Sequence, residues 1–127
     1  MNSIDNSKPC NDECPVKIAA QIIEGKWTTL VIRELLGGKK RFSHIQRALS
    51  GISPKVLTTR LRMLEHHQLV SRTVFPTIPP TTEYELTPIG RKLEKVLAEM
   101  AAFGNELKNQ TPGVGVAYSN SDPTISQ

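Results

Sequence analysis

Aromatic side chains make up only 5% of these 127 residues, and cysteine occurs twice. A sandwich of sheets draws on aromatic and β-branched residues, so the apolar supply here, mostly Leu, Ile, Val and Ala, suits packed helices better. Cys10 and Cys14 are too few and too close together to staple a small secreted domain, and are expected to be thiols of a reducing compartment. They offer two zinc ligands at most, and His44, His66 and His67 fall on or beside helices assigned to another task below, so no metal is expected. No uninterrupted apolar run approaches the length of a bilayer span, and residues 1–14 are polar with an acidic bias, unlike a secretory leader. The expected compartment is the cytoplasm, with no membrane partner. There is no Gly-rich phosphate loop, no serine elbow and no acid pair clustered with a histidine, so neither an enzyme nor a cofactor is expected.

What the chain does have is charge in one place. Residues 39–72 hold eight Lys or Arg side chains against one acid, Glu65, a net charge of +7, while the remainder of the chain sums to −3. A cationic patch of that density neutralises phosphates, and double-stranded DNA is the partner it fits.

The hydrophobic share of 38% supplies one modest core. A flexible arm is expected over residues 1–13, one domain over 14–108 and a disordered tail over 109–127, where Gly, Pro, Ser, Thr and Asn replace any periodic pattern. Within the domain, Val16, Ile18, Ala19, Ile22 and Ile23 recur with helical spacing between Pro15 and Gly25. Trp27, Leu30, Val31, Leu35 and Leu36 make a second, more buried helix that stops at Gly37 and Gly38, with a basic turn after it. Ser43 is expected to cap a short helix broken by Gly51, and Ser53, followed by Pro54, to cap a longer one reaching His67. Two helices joined by a short Gly-containing turn predict a helix-turn-helix. VSRTVF and TEYEL then alternate as strands around a proline-rich turn, predicting a hairpin that projects as a wing. From Thr87 and Pro88 a single helix is expected to carry Ile89, Leu93, Val96, Leu97, Met100, Phe103 and Leu107 as one apolar stripe to Lys108. The expected class is thus mainly α with a small β-hairpin wing.

Stepping about 100° per residue along the helix after Ser53 puts Leu57, Leu61 and Leu64 in one sector and Lys55, Thr59, Arg62 and His66 in the other, with Thr58 at its edge. Arg and Lys can donate to guanine O6 and N7, and Thr can bond a base edge or touch a thymine methyl. Lys55, Thr58, Thr59 and Arg62 are therefore the base-reading candidates, while Arg60, beside the apolar sector, is expected to brace the fold. Lys39, Lys40, Arg41, Ser43, Ser53 and Arg72 complete the DNA-binding set, the three cations before the short helix as phosphate contacts, the serines at the helix starts, and Arg72 on the hairpin, where it could reach a neighbouring groove. The wing tip has no Lys or Arg and is a weak electrostatic arm.

The pieces CPVKIAAQIIEGKW, RFSHIQRAL, GISPKVLTTRLRMLEHHQLVSR and YELTPIGRKL, in that order, resemble the HxlR-type winged-helix transcriptional regulators of bacteria. The resemblance implies a homodimer, joined through the first and last helices, that places two recognition helices in successive major grooves of a pseudo-palindromic operator. It implies a sequence-specific regulator, with repression the expected mode. Some members sense oxidants or electrophiles through a cysteine just before the first helix, and Cys14 stands at that place. Independently, a thiolate at a helix N-terminus is stabilised by the macrodipole. An oxidant or electrophile is accordingly one expected effector. The alternatives are a winged-helix regulator with an unknown small-molecule effector and no thiol switch, and a protein-interaction module on the same scaffold.

Overall fold

The computed structural model describes residues 13–110. The expected arm over 1–13 and tail over 109–127 lie outside those residues except at their inner ends, and there Asn109 and Gln110 are helical, so the last helix outruns its expected end. The chain divides into two compact units between Lys92 and Leu93.

The first unit opens with α1 (Pro15–Ile23), for which Cys14 is the N-cap residue and Pro15 takes a first-turn position whose N–H would have no helical partner in any case. The Ile18 N–H donates to the Cys14 carbonyl at 2.9 Å. Gly25, at φ 86°, turns the chain into α2 (Lys26–Leu36), whose Thr28, Val31, Ile32 and Leu35 are buried. Lys40 folds back on the end of α2, its Nζ donating to the Glu34 carbonyl at 3.0 Å, one of the terminal acceptors a helix leaves without an internal partner.

A short strand that the sequence had not announced follows, β1 (Lys40–Arg41). It runs directly into α3 (Phe42–Ala48), with Arg41 in extended conformation as the N-cap and no side-chain cap bond. Ser43 is the second residue of that helix and does not cap it, because pairing of β1 in the sheet sets where the helix can begin. The turn after α3 passes through Gly51 at φ 97° to α4 (Pro54–His66). Here the expected cap is present, with Ser53 Oγ accepting from the Val56 N–H at 3.1 Å.

Strands β2 (Val70–Phe75) and β3 (Thr81–Leu86) form the hairpin, and β1 adds to the far side of β3, giving a three-stranded antiparallel sheet in the order β1-β3-β2. Its register sets Tyr84 opposite both Arg72 and Lys40. Val31, Ile32, Leu35, Ile45, Leu49, Ile52, Leu57, Leu61, Leu64, Val70, Tyr84 and Leu86 make the core, so α2, α3, α4 and the sheet close around one another.

The single helix expected after Thr87 is two helices. In α5 (Pro88–Arg91), Thr87 Oγ1 accepts from the Gly90 N–H at 3.1 Å and donates to the Gln68 carbonyl at 2.7 Å. The Thr87 N–H donates to the Leu69 carbonyl at 3.0 Å. A Cβ on Gly90 would collide with that same Leu69 carbonyl, so only glycine allows so close an approach. This docking holds α5 to the turn after α4, the Lys92 N–H bonds back to Ile89, and the chain restarts as α6 (Leu93–Gln110). In that second unit Val96, Met100, Phe103 and Leu107 are exposed, and no residue of α6 is buried.

Candidate nucleic-acid interface

Helix α4 separates its two faces as helical geometry requires. Leu57, Leu61 and Leu64 are buried, while Lys55, Thr59, Arg62 and His66 are exposed and Thr58 lies between. The buried leucines fix the rotation of the helix, and the Ser53 cap fixes its start, so the polar face has one direction. Thr59 Oγ1 donates to the Lys55 carbonyl at 2.9 Å, which leaves its oxygen lone pairs able to accept. Arg60 is half-buried, with its Nε enclosed and its Nη2 3.7 Å from where a Gly25 side chain would begin. Its guanidinium therefore lies beside Gly25 in the turn between α1 and α2, in keeping with a brace.

The other cations are placed unevenly. Lys39 is exposed in the turn before β1. Lys40 is engaged with the end of α2, and Arg41 sits 3.9 Å from the Glu83 carboxylate across the β1/β3 pair. Ser53 is exposed at the head of α4, with its oxygen committed to the cap. Ser43 lines a depression of about 310 Å³ with Arg41, Phe42 and the wing residues Pro80, Thr81 and Thr82, so the start of α3 and the return of the wing share one concave surface.

Arg72 stands apart from the expected phosphate set. Its Nε is 3.5 Å from Glu65 Oε1, which joins the first half of the wing to the C-terminal half of α4. Thr58, Arg62, Glu65, Arg72 and Tyr84 together line a cavity of about 150 Å³. Burial pushes the Tyr84 hydroxyl above the usual tyrosine range, Arg72 and Arg62 pull it down, and Glu65 adds to the rise. Glu65 and Tyr84 were not among the residues picked from sequence. Glu65 had appeared only as the lone acid of the basic segment, and the place of Tyr84 beside Arg72 becomes visible once the strand register is known.

At the wing tip the Thr77 N–H donates to the Phe75 carbonyl and Thr77 Oγ1 to the Pro79 carbonyl, both at 2.8 Å, and Ile78 is fully exposed between them. Cys14, by contrast, is half-buried at the head of α1. Among the described residues no group of three or more His, Cys, Asp or Glu is gathered as a metal site, and no helix is long and apolar enough to cross a membrane.

The sequence and the fold have relatives among known proteins. The model of the HxlR-like helix-turn-helix family matches residues 22–112. The HTH-type transcriptional regulator sll1512 of Synechocystis sp. is 41% identical over 108 residues, covering 83% of this chain and 80% of its own. Among solved structures, the redox regulator HypR in its reduced form superimposes with a TM-score of 0.72 at 34% identity, covering 78% of this chain and 98% of its own. The reduced transcriptional regulator YodB of Bacillus subtilis superimposes with a TM-score of 0.67 at 36% identity, over 79% of this chain and 97% of its own. HypR is also known in an oxidised form and YodB after diamide treatment.

Proposed function

The chain belongs to the HxlR-like helix-turn-helix family of DNA-binding transcriptional regulators, and from that premise we propose that it is a homodimeric repressor whose α4 reads an operator and whose Cys14 answers to oxidants or electrophiles. The observation that carries the first half is the division of α4, with three leucines locked in the core and Lys55, Thr58, Thr59 and Arg62 on the opposite side. These four contact base edges in the major groove. Lys39 and Arg41 contact phosphates, with Ser43 and Ser53 at the helix starts beside them, and Lys40 of β1 contributes charge from against the end of α2. The exposed apolar residues of α6, and separately Val16 and Ile18 of α1, support a homodimer, and a two-fold dimer calls for a pseudo-palindromic site.

The thiol half rests on Cys14 at the N-cap of α1 and on similarity to proteins described as redox regulators or solved after diamide treatment. Cys10, a candidate second thiol, lies outside the described residues.

The test begins with a duplex selected from a random pool by the protein itself. Binding should weaken steeply with salt, and Arg62→Ala should cost about 1–3 kcal/mol and relax preference at one base position. Unchanged affinity and preference would remove Arg62 from the readout. Diamide should lower the affinity of the native protein and leave Cys14→Ser unaffected, whereas an equal response of the two proteins would exclude Cys14 as the sensor.

A further inference from the structure

Glu65 is the only acid among residues 39–72, and it stands on the helix assigned to the major groove. Its carboxylate is 3.5 Å from Arg72 Nε, and the side chains of the pair are 39% and 47% exposed. A pair so open to water is weakly held, because solvent screens it and two long side chains lose freedom in forming it. It is nonetheless well placed to compete. The cavity it lines is shared with Tyr84 and with two of the base-reading candidates, Thr58 and Arg62, and Arg62, Arg72 and Glu65 all act electrostatically on the Tyr84 hydroxyl. Two arginines thus converge where α4 meets the wing, and one of them already has an anion. The matching pair at the other edge of β3, Arg41 with Glu83, is looser at 3.9 Å and lies off the recognition helix.

We propose that Glu65 is an affinity-limiting residue that keeps Arg72 from DNA phosphate, so that the protein binds duplex of any sequence with one ionic contact fewer than its cationic surface would otherwise make. This rests on the assignment of α4 to the major groove. Every contact to phosphate adds affinity without sequence information, and an acid in the C-terminal half of the helix, paired with Arg72, removes some of that affinity while leaving the base contacts of Lys55, Thr59 and Arg62 in place. Glu65 acts through Arg72, as a positioning residue.

Glu65→Gln keeps the size and helix preference of the side chain and removes its charge. With a random-sequence duplex and with the duplex selected by the native protein, this variant should bind roughly two- to fivefold more tightly at about 0.1 M salt, and the slope of log affinity against log salt should steepen, by up to about 0.9. The double variant Glu65→Gln with Arg72→Gln should lose both the gain and the added slope. A purely structural role would not move the salt slope. Native slope and affinity in Glu65→Gln, a gain confined to the selected duplex, or a gain that survives loss of Arg72 would each overturn the proposal. Absence of salt-dependent binding by the native protein would instead overturn the DNA assignment of α4, and the role of Glu65 with it.

Discussion

Helices α4 and α6 carry similar apolar stripes with opposite fates. Leu57, Leu61 and Leu64 of α4 are shielded by α2 and the sheet, whereas Val96, Met100, Phe103 and Leu107 of α6 remain exposed. Periodicity states that a helix has a side to hide and says nothing of what will hide it. In α4 the chain supplies the cover and the stripe becomes a fixed axle for the polar face. In α6 the stripe is left for a second surface, which is why a homodimer is proposed.

That contrast predicts unequal responses to the same kind of change. Leu61→Ala should destabilise the fold by about 2–5 kcal/mol in urea unfolding, because it opens a cavity in a closed core. A loss comparable to that of a surface substitution would mean that α4 is not anchored by its leucines. Phe103→Asp should leave the fold of the first unit intact and weaken self-association by about 2 kcal/mol or more, seen as monomer in sedimentation equilibrium. If the native protein is itself monomeric at the same concentration, the stripe on α6 has another use and the comparison fails. The smallest effect concerns the start of α4. Ser53→Ala should cost about 1 kcal/mol by removing the bond to the Val56 N–H. Ser43→Ala, at a serine that is not a cap, should stay within about 0.5 kcal/mol. Equal losses at the two serines would contradict the difference in how α3 and α4 begin.

Much of this was legible in the residues themselves. Pro15, Gly25, Gly37, Ser53 and Pro54 mark element ends by local chemistry, and local chemistry decided those ends. The hairpin followed from alternation. Strand β1 was not legible because two residues carry no period, and Lys40 and Arg41 become a strand only by pairing with Glu83 and Tyr84 more than forty positions away. The same pairing moved the start of α3 and made Ser43 an interior helix residue. The break at Lys92 was hidden for a similar reason: just before it Gly90 lies against the Leu69 carbonyl, and a glycine within a periodic run does not announce what it touches. In the interface, the wheel of α4 was sound, but counting cations could not show that Lys40 and Arg72 already have partners within the chain.

The base of the wing has a consequence for how this protein can vary. Thr87 is bound to the carbonyls of Gln68 and Leu69 through its hydroxyl and its amide, which clasps the two ends of the hairpin at their roots. Residues 76–80 lie beyond that clasp, so exchanging them for the tip of another regulator should leave the start and the rotation of α4 as they are.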